Sequence, residues 1–272
     1  MVAASYVEAP ERQRTAFGLV LRSELTKLRT VRSTYWSLVA AVFVTVVVGS
    51  LISFATVSHW DEVAFGFDAA RRSLSGVLLA QLAFGVLGVL VITAEFSTGM
   101  IRSTFAAVPQ RTAVLVAKAI VFAAVSFVVA ALAVFPAFFI GQAIFHTKQA
   151  GVTLGDPGVF RAVIGGVLYL TVLGLFALGL GTMIRHTAGA IAALFGMLLV
   201  LPGVAAALPS PWDVDVSKFL PSDAGMAMFA THPRTHGFGA DGLAPWTGFA
   251  VFCGWAALTL LLGAYLLNRR DA

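Results

Sequence analysis

The sequence predicts an all-α, polytopic membrane protein in which six transmembrane helices follow an amphipathic helix at the membrane surface. Three observations carry this prediction. The 272 residues are 59% apolar and only 11% charged, with a mean hydropathy of +0.91. A soluble domain is about 25% charged, so this inventory cannot build a water-facing surface. Uncharged runs recur that are long enough to cross about 30 Å of hydrocarbon as helices. The period-2 alternation of a transmembrane barrel is absent.

Residues 1–14 are polar and contain Pro10, and read as a disordered tail. Over 15–33 the pattern turns amphipathic. Phe17, Leu21, Leu25, Leu28 and Val31 recur at helical spacing, while Arg22, Lys27, Arg29 and Arg32 take other angles. Such a helix can lie in the headgroup plane with its basic residues toward anionic lipid. The remainder, 34–272, reads as one membrane domain with spans at 35–57, 74–94, 115–143, 162–184, 187–208 and 246–267. The first run is too long for a signal-peptide core and reads as an uncleaved span. Lys118 near the start of the third span can snorkel to the interface. Pro136 inside it predicts a kink. Only Arg185 and His186 separate spans four and five, which predicts a tight helical hairpin. Between spans five and six, 209–245 mixes apolar pieces with Pro and Gly, as a short helix re-entering the outer leaflet would.

Lys and Arg set the orientation. With the N-terminus inside, twelve fall on inner segments and six on outer ones. The positive-inside rule therefore selects N-in and C-in, and the expected location is the cell membrane. This also accounts for the net charge of +5 without nucleic acid. Trp36 and Trp246 fall at span ends as interfacial anchors. The single cysteine, Cys253, excludes an intrachain disulfide.

The most informative segment is the elbow at 95–112. Glu95 and Arg102 break a long apolar run, and a charge costs about 2.5–3.5 kcal/mol at mid-bilayer, so both belong at or just outside a membrane surface. In one reading Glu95 is a helix-end carboxylate, solvated or paired with Arg102 or Arg111. In the other it orients a short cytoplasmic helix, Thr98 to Ala107, by bonding backbone N–H groups or a basic side chain. Gly99 then supplies the turn, Pro109 ends the helix, and Arg111 and Lys118 hold the start of span three at the headgroups.

Other chemistry is sparse. No G-x-x-x-x-G-K-[ST] segment exists, so the chain lacks that device for ATP hydrolysis. The glycines from Gly174 to Gly181, with Ala188 and Ala192, read as helix-packing surfaces. No acid lies at mid-depth in a span, which disfavours ion-coupled transport. His232 and His236 have a metal-compatible spacing, but Pro233, Gly237 and Gly239 oppose a regular helix there. No G-x-S-x-G elbow supports a hydrolase built on Ser103, Thr104 or His186. A membrane enzyme acting on lipid or peptide, and a structural or sensory membrane protein without transport, remain the alternative readings.

A basic amphipathic helix before span one, then Glu95, Gly99, Ile101, Arg102 and Thr104 in the order E-x-x-x-G-x-I-R-x-T, with Pro109, Arg111 and Lys118 beyond, resembles the permease subunits of ABC-2-type ATP-binding-cassette exporters. Phe219-Leu220-Pro221-Ser222-Asp223-Ala224-Gly225 is similar to an outer-loop segment of such permeases from high-GC Gram-positive bacteria. The resemblance implies that the chain is not an enzyme but the permease of an ATP-driven exporter. ATP and magnesium would sit on a separate ATPase subunit, and a second permease chain would complete the unit. Glu95, Thr98, Gly99, Ile101, Arg102, Thr104, Pro109 and Arg111 would then form the coupling elbow. Arg22, Glu24, Lys27 and Arg29 would mark the interfacial helix, and Pro221, Ser222 and Gly225 an outer gate. Phe96-Ser97 departs from the basic or aromatic residue that often follows the Glu in that family.

Overall fold

A computed structural model describes residues 9–30, 32–60, 67–108, 110–209, 212–229, 231 and 242–270. These residues form helices and connections without a strand. Helix α1 is Ala9–Thr30 and α2 Arg32–Ser58. Helix α3, Ala69–Ser73, runs through a 3-10 turn into α4, Val77–Ser97. The short α5, Met100–Ala107, precedes α6, Arg111–His146. Next come α7, Val159–Ile184, and α8, Thr187–Phe195, then α9, Leu201–Ala206. Two short helices, α10 (Trp212–Ser217) and α11 (Pro221–Met226), lead to α12, Pro245–Arg270.

Six helical stretches are long and apolar enough to cross a membrane: Tyr35–Ser58, Ala69–Ser97, Arg111–His146, Val159–Ile184, Thr187–Ala206 and Pro245–Arg269. One difference from the sequence reading lies at the start. Residues 9–14, expected in a disordered tail, belong to α1.

Span four is the hub. Its most apolar window is 78% buried, against 22% for spans one and five. Small residues explain its place, because helices in lipid associate by close packing rather than by hydrophobic burial. A Cβ on Gly88 of α4 would overlap the Gly174 carbonyl of α7, so the two backbones touch where both residues are glycine. Phe122 packs over Gly174, and Tyr169, Leu170, Leu173 and Phe176 of the same helix are fully buried in the core.

The hairpin between spans four and five closes at Arg185, whose φ of 60° is left-handed. Its N–H donates to the Gly181 carbonyl at 2.9 Å and closes α7. Span five is itself interrupted. A π-helical turn at Gly196–Val200 precedes Pro202, whose ring opposes a regular turn on the Leu198 carbonyl. Helix α6 continues through Pro136 to His146.

The segment after span five folds back onto the bundle. Pro221 starts α11, where a fixed φ is favourable and the missing N–H is not needed. Helix α11 then packs on α12 and α7. A Cβ on Gly225 would come within 2.5 Å of the Tyr169 ring, so only glycine fits.

Candidate functional site

The elbow is built from one backbone requirement. Gly99 has φ 73°, in the left-handed region that side chains disfavour, and it turns the chain from α4 into α5. Nothing lies within 4 Å of a Cβ added there, so its constraint is conformational rather than steric. Of the helix that follows, Ile101 alone is buried, while Met100, Arg102, Ser103, Ala106 and Ala107 are exposed. Thr98 and Thr104 turn their hydroxyls back onto the carbonyls of Ala94 and Met100. Pro109 lies outside the described residues.

Glu95 is not a solvated helix-end carboxylate. It is 3% exposed, and its partners are not Arg102 or Arg111. Its Oε1 accepts from Lys27 Nζ of α1 at 3.0 Å and from Lys118 Nζ of α6 at 2.8 Å. Glu24 closes the ring, accepting from Lys27 through Oε1 at 2.7 Å and from Lys118 through Oε2 at 2.5 Å. Two carboxylates and two ammonium groups thus alternate, neutral in sum, and join α1, α4 and α6.

Lys118 therefore does not snorkel to the headgroups. It is 3% exposed, because two carboxylates neutralise it inside the bundle more effectively than an aliphatic reach to the surface would. The Lys27 side chain keeps 27% exposure. Burial alone would lower its pKa, but the Glu24 hydrogen bond and the Glu95 charge outweigh this and raise it. Arg22 and Arg29 lie exposed on the remainder of α1.

Two arginines fasten the neighbouring helix end. Arg111 donates to the Leu267 carbonyl at 3.1 Å and Arg185 to Leu266 at 3.3 Å, a favourable place for positive charge near the C-terminus of α12. Their guanidinium groups lie over the rings of Phe105 and Phe96, at 5.6 and 5.1 Å from the centroids. The Phe at position 96 thus seats Arg185. Arg102, Arg111 and Arg185 line an open groove of about 890 Å³ together with Phe96, Thr98 and Ile101.

At the other end of the bundle the contacts are uncharged or partly so. Tyr169 donates from its hydroxyl to Gln81 at 2.5 Å, and Gln142 donates to Ser73 Oγ at 2.8 Å and to the Ala69 carbonyl at 3.1 Å. Asp68 caps α3 by accepting from Arg71 N–H at 3.0 Å, and it also accepts from the Thr231 hydroxyl. Pro221, Ser222 and Gly225 are buried here beside Tyr169, far along the chain path from the elbow.

The remaining candidates do not converge. His186 accepts from Gly189 N–H at 3.2 Å as the cap of α8. Glu95 is committed to its lysines, so the two do not form a catalytic pair. Among the described residues no group of three His, Cys, Asp or Glu could hold a metal. His232 and His236 lie outside the described residues.

Sequence reasoning missed Gln81, Gln142 and Tyr169 as partners. An isolated Gln in a long apolar run was the available signal, since its amide needs a partner in hydrocarbon. No protein-family model matches the chain, and no curated protein matches it.

Proposed function

We propose that the chain is the permease subunit of an ATP-driven exporter of the ABC type, forming the substrate path and working with a separate ATPase. The observation that carries this reading is the pairing of an exposed short helix with a buried ion-pair ring immediately before it. Helix α5 presents its exposed residues on an elbow, and Glu95 four residues before Gly99 ties that elbow to α1 and α6. A push on α5 would thus be shared by three helices rather than absorbed by a loose loop. In this reading ATP and magnesium sit on the partner, in keeping with a sequence that has no P-loop motif.

In this reading the elbow and both termini are cytoplasmic, which the Lys and Arg asymmetry supports. Helix α1 lies along the inner surface of the cell membrane. A second permease chain faces the first across the path, and α11 contributes to the outer gate through Pro221, Ser222 and Gly225. Closure of the ATPase dimer would rock the helices to change access. The apolar lining available suits an amphipathic or apolar cargo.

Co-purification tests the reading. The chain, tagged and expressed with a P-loop ATPase encoded beside it, should hold that ATPase through purification and raise its hydrolysis rate. Glu95→Ala and Gly99→Pro should insert normally yet lose the stimulation. A neighbourhood without a P-loop ATPase, or stimulation unchanged in both variants, contradicts the proposal.

A further inference from the structure

At the end of span two away from the elbow, a cavity of about 390 Å³ opens between α3–α4 and the turn that follows α11. Arg71, Arg72 and Asp68 line it together with Leu74, Leu78, Met226 and Phe229. Both arginines are exposed, and among the described residues neither guanidinium has a hydrogen-bond or acidic partner. Arg71 is held only through its backbone N–H, which donates to Asp68 Oδ1 at 3.0 Å. The other carboxylate oxygen of Asp68 accepts from the Thr231 hydroxyl. That acid is therefore turned onto its own surroundings, and the lining keeps one net positive charge.

The apolar part of the cavity has a direction. Arg71, Leu74 and Leu78 recur at three- and four-residue spacing, which places them on one face of the stretch Ala69–Ser97. At 1.5 Å per residue, Leu78 lies about 10 Å further along the span than Arg71. Leu74 and Phe229 are buried, whereas Leu78 is exposed on a helix apolar enough to cross a membrane. Two unengaged cations thus stand at the end of a span, above an apolar stripe that opens sideways.

We propose that this cavity binds the headgroup of an anionic phospholipid. The phosphodiester accepts from the guanidinium N–H donors of Arg71 and Arg72, and an acyl chain runs along Leu78 beside Met226. Three observations select this class. Guanidinium groups without an acid call for an anion. The stripe calls for a chain, which free phosphate lacks. The volume equals about a dozen waters at roughly 30 Å³ each, so it suits a phosphoglycerol headgroup, whereas a fatty-acid carboxylate leaves most of it to water. Choline and ethanolamine lipids also carry a phosphate, but each brings a cation to a lining that is already positive. This inference depends on the chain lying in a membrane and not on its being an exporter subunit.

Native mass spectrometry of the full chain, released from vesicles of phosphatidylglycerol, phosphatidylcholine and phosphatidylethanolamine with matched acyl chains, tests it. The glycerol lipid should be retained about tenfold over either zwitterionic lipid, as one charge-assisted contact would give. Arg71→Gln combined with Arg72→Gln, both at exposed positions, should abolish that preference. Arg22→Gln combined with Arg29→Gln, exposed on α1, should leave it intact, and inorganic phosphate in excess should not displace the lipid. Equal retention of the three lipids, preference for a zwitterionic lipid or a matched free fatty acid, or displacement by inorganic phosphate overturns the proposal. So does a preference unchanged in the Arg71 and Arg72 variant. ATPase stimulation plays no part in this readout, so its outcome is separable from the test of transport.

Discussion

The two ends of the helical bundle are fastened by different chemistry. At the elbow end four full charges, Glu24, Lys27, Glu95 and Lys118, hold α1, α4 and α6 together. At the opposite end, amide and hydroxyl groups from Gln81, Tyr169, Gln142 and Ser73 do the equivalent work between α3, α4, α6 and α7. Neutral hydrogen bonds in a packed interior each add roughly 1 kcal/mol and tolerate replacement of both partners by apolar groups. A buried ion-pair ring adds little net stability, but losing one member leaves a charge stranded. The elbow end is therefore all-or-none, and the other end is graded. In the proposed function, where the elbow end moves as a unit, the first property is the useful one.

The largest effect that can break this comparison is loss of Lys118. Lys118→Ala leaves Glu24 and Glu95 facing each other with Lys27 alone, and should cost about 3–5 kcal/mol by thermal unfolding in detergent. An effect below about 1 kcal/mol would show that the ring is solvated and not the fastening described.

Next in size, Tyr169→Phe should cost about 1–3 kcal/mol, because Gln81 is then left buried without its donor. Adding Gln81→Leu to it should recover most of that loss. At the elbow end the recovery should be only partial when Glu95→Leu is added to Lys118→Ala, since charge balance returns but Glu24 Oε2 has lost its Lys118 donor. Equal recovery at both ends would erase the distinction.

Gly99→Ala isolates the backbone term. Its Cβ meets nothing, so the cost should be that of the left-handed conformation, about 1–2 kcal/mol, with Gly99→Asn smaller. Smaller still is the alkaline response. Lys27 has a raised pKa when folded, so its contribution is complete below the unfolded lysine value and is lost as pH rises through the folded one. Unfolding temperature should thus fall only at alkaline pH above the ordinary lysine range, and Lys27→Met should remove that slope. Arg22→Ala and Arg29→Ala, on the exposed face of α1, should stay within about 0.5 kcal/mol of the parent.

Much of this architecture was legible because hydropathy is a local property. Six apolar helices and the two-residue hairpin at Arg185 and His186 follow from runs and breaks that any window along the chain detects. Gly99 as the turn before a short helix was equally legible, since a glycine between a charge and an amphipathic stretch has few other uses. The partners of Glu95 were not. Arg102 and Arg111 are near it in sequence, whereas Lys27 lies 68 residues away and Lys118 23 residues away. Pairing over such separations depends on helix packing, to which a charge count is blind. The hint was an imbalance of placement: Lys118 lies two helical turns inside α6, at about 1.5 Å per residue, too deep to be left without an acid. Gln81 and Tyr169 escaped notice for a related reason, because neither breaks an apolar run strongly enough to mark a site.

We propose that α5 is the surface through which a separate ATPase drives this bundle. Site-directed cross-linking tests it most directly. In a Cys253→Ala background, Ser103→Cys on exposed α5 and Trp246→Cys at the far end of α12 are each treated with a short thiol cross-linker in membranes holding the neighbouring ATPase. The account predicts that Ser103→Cys captures the P-loop ATPase and Trp246→Cys does not. Capture at Trp246→Cys alone, or at neither position while the two proteins still co-purify, would contradict it.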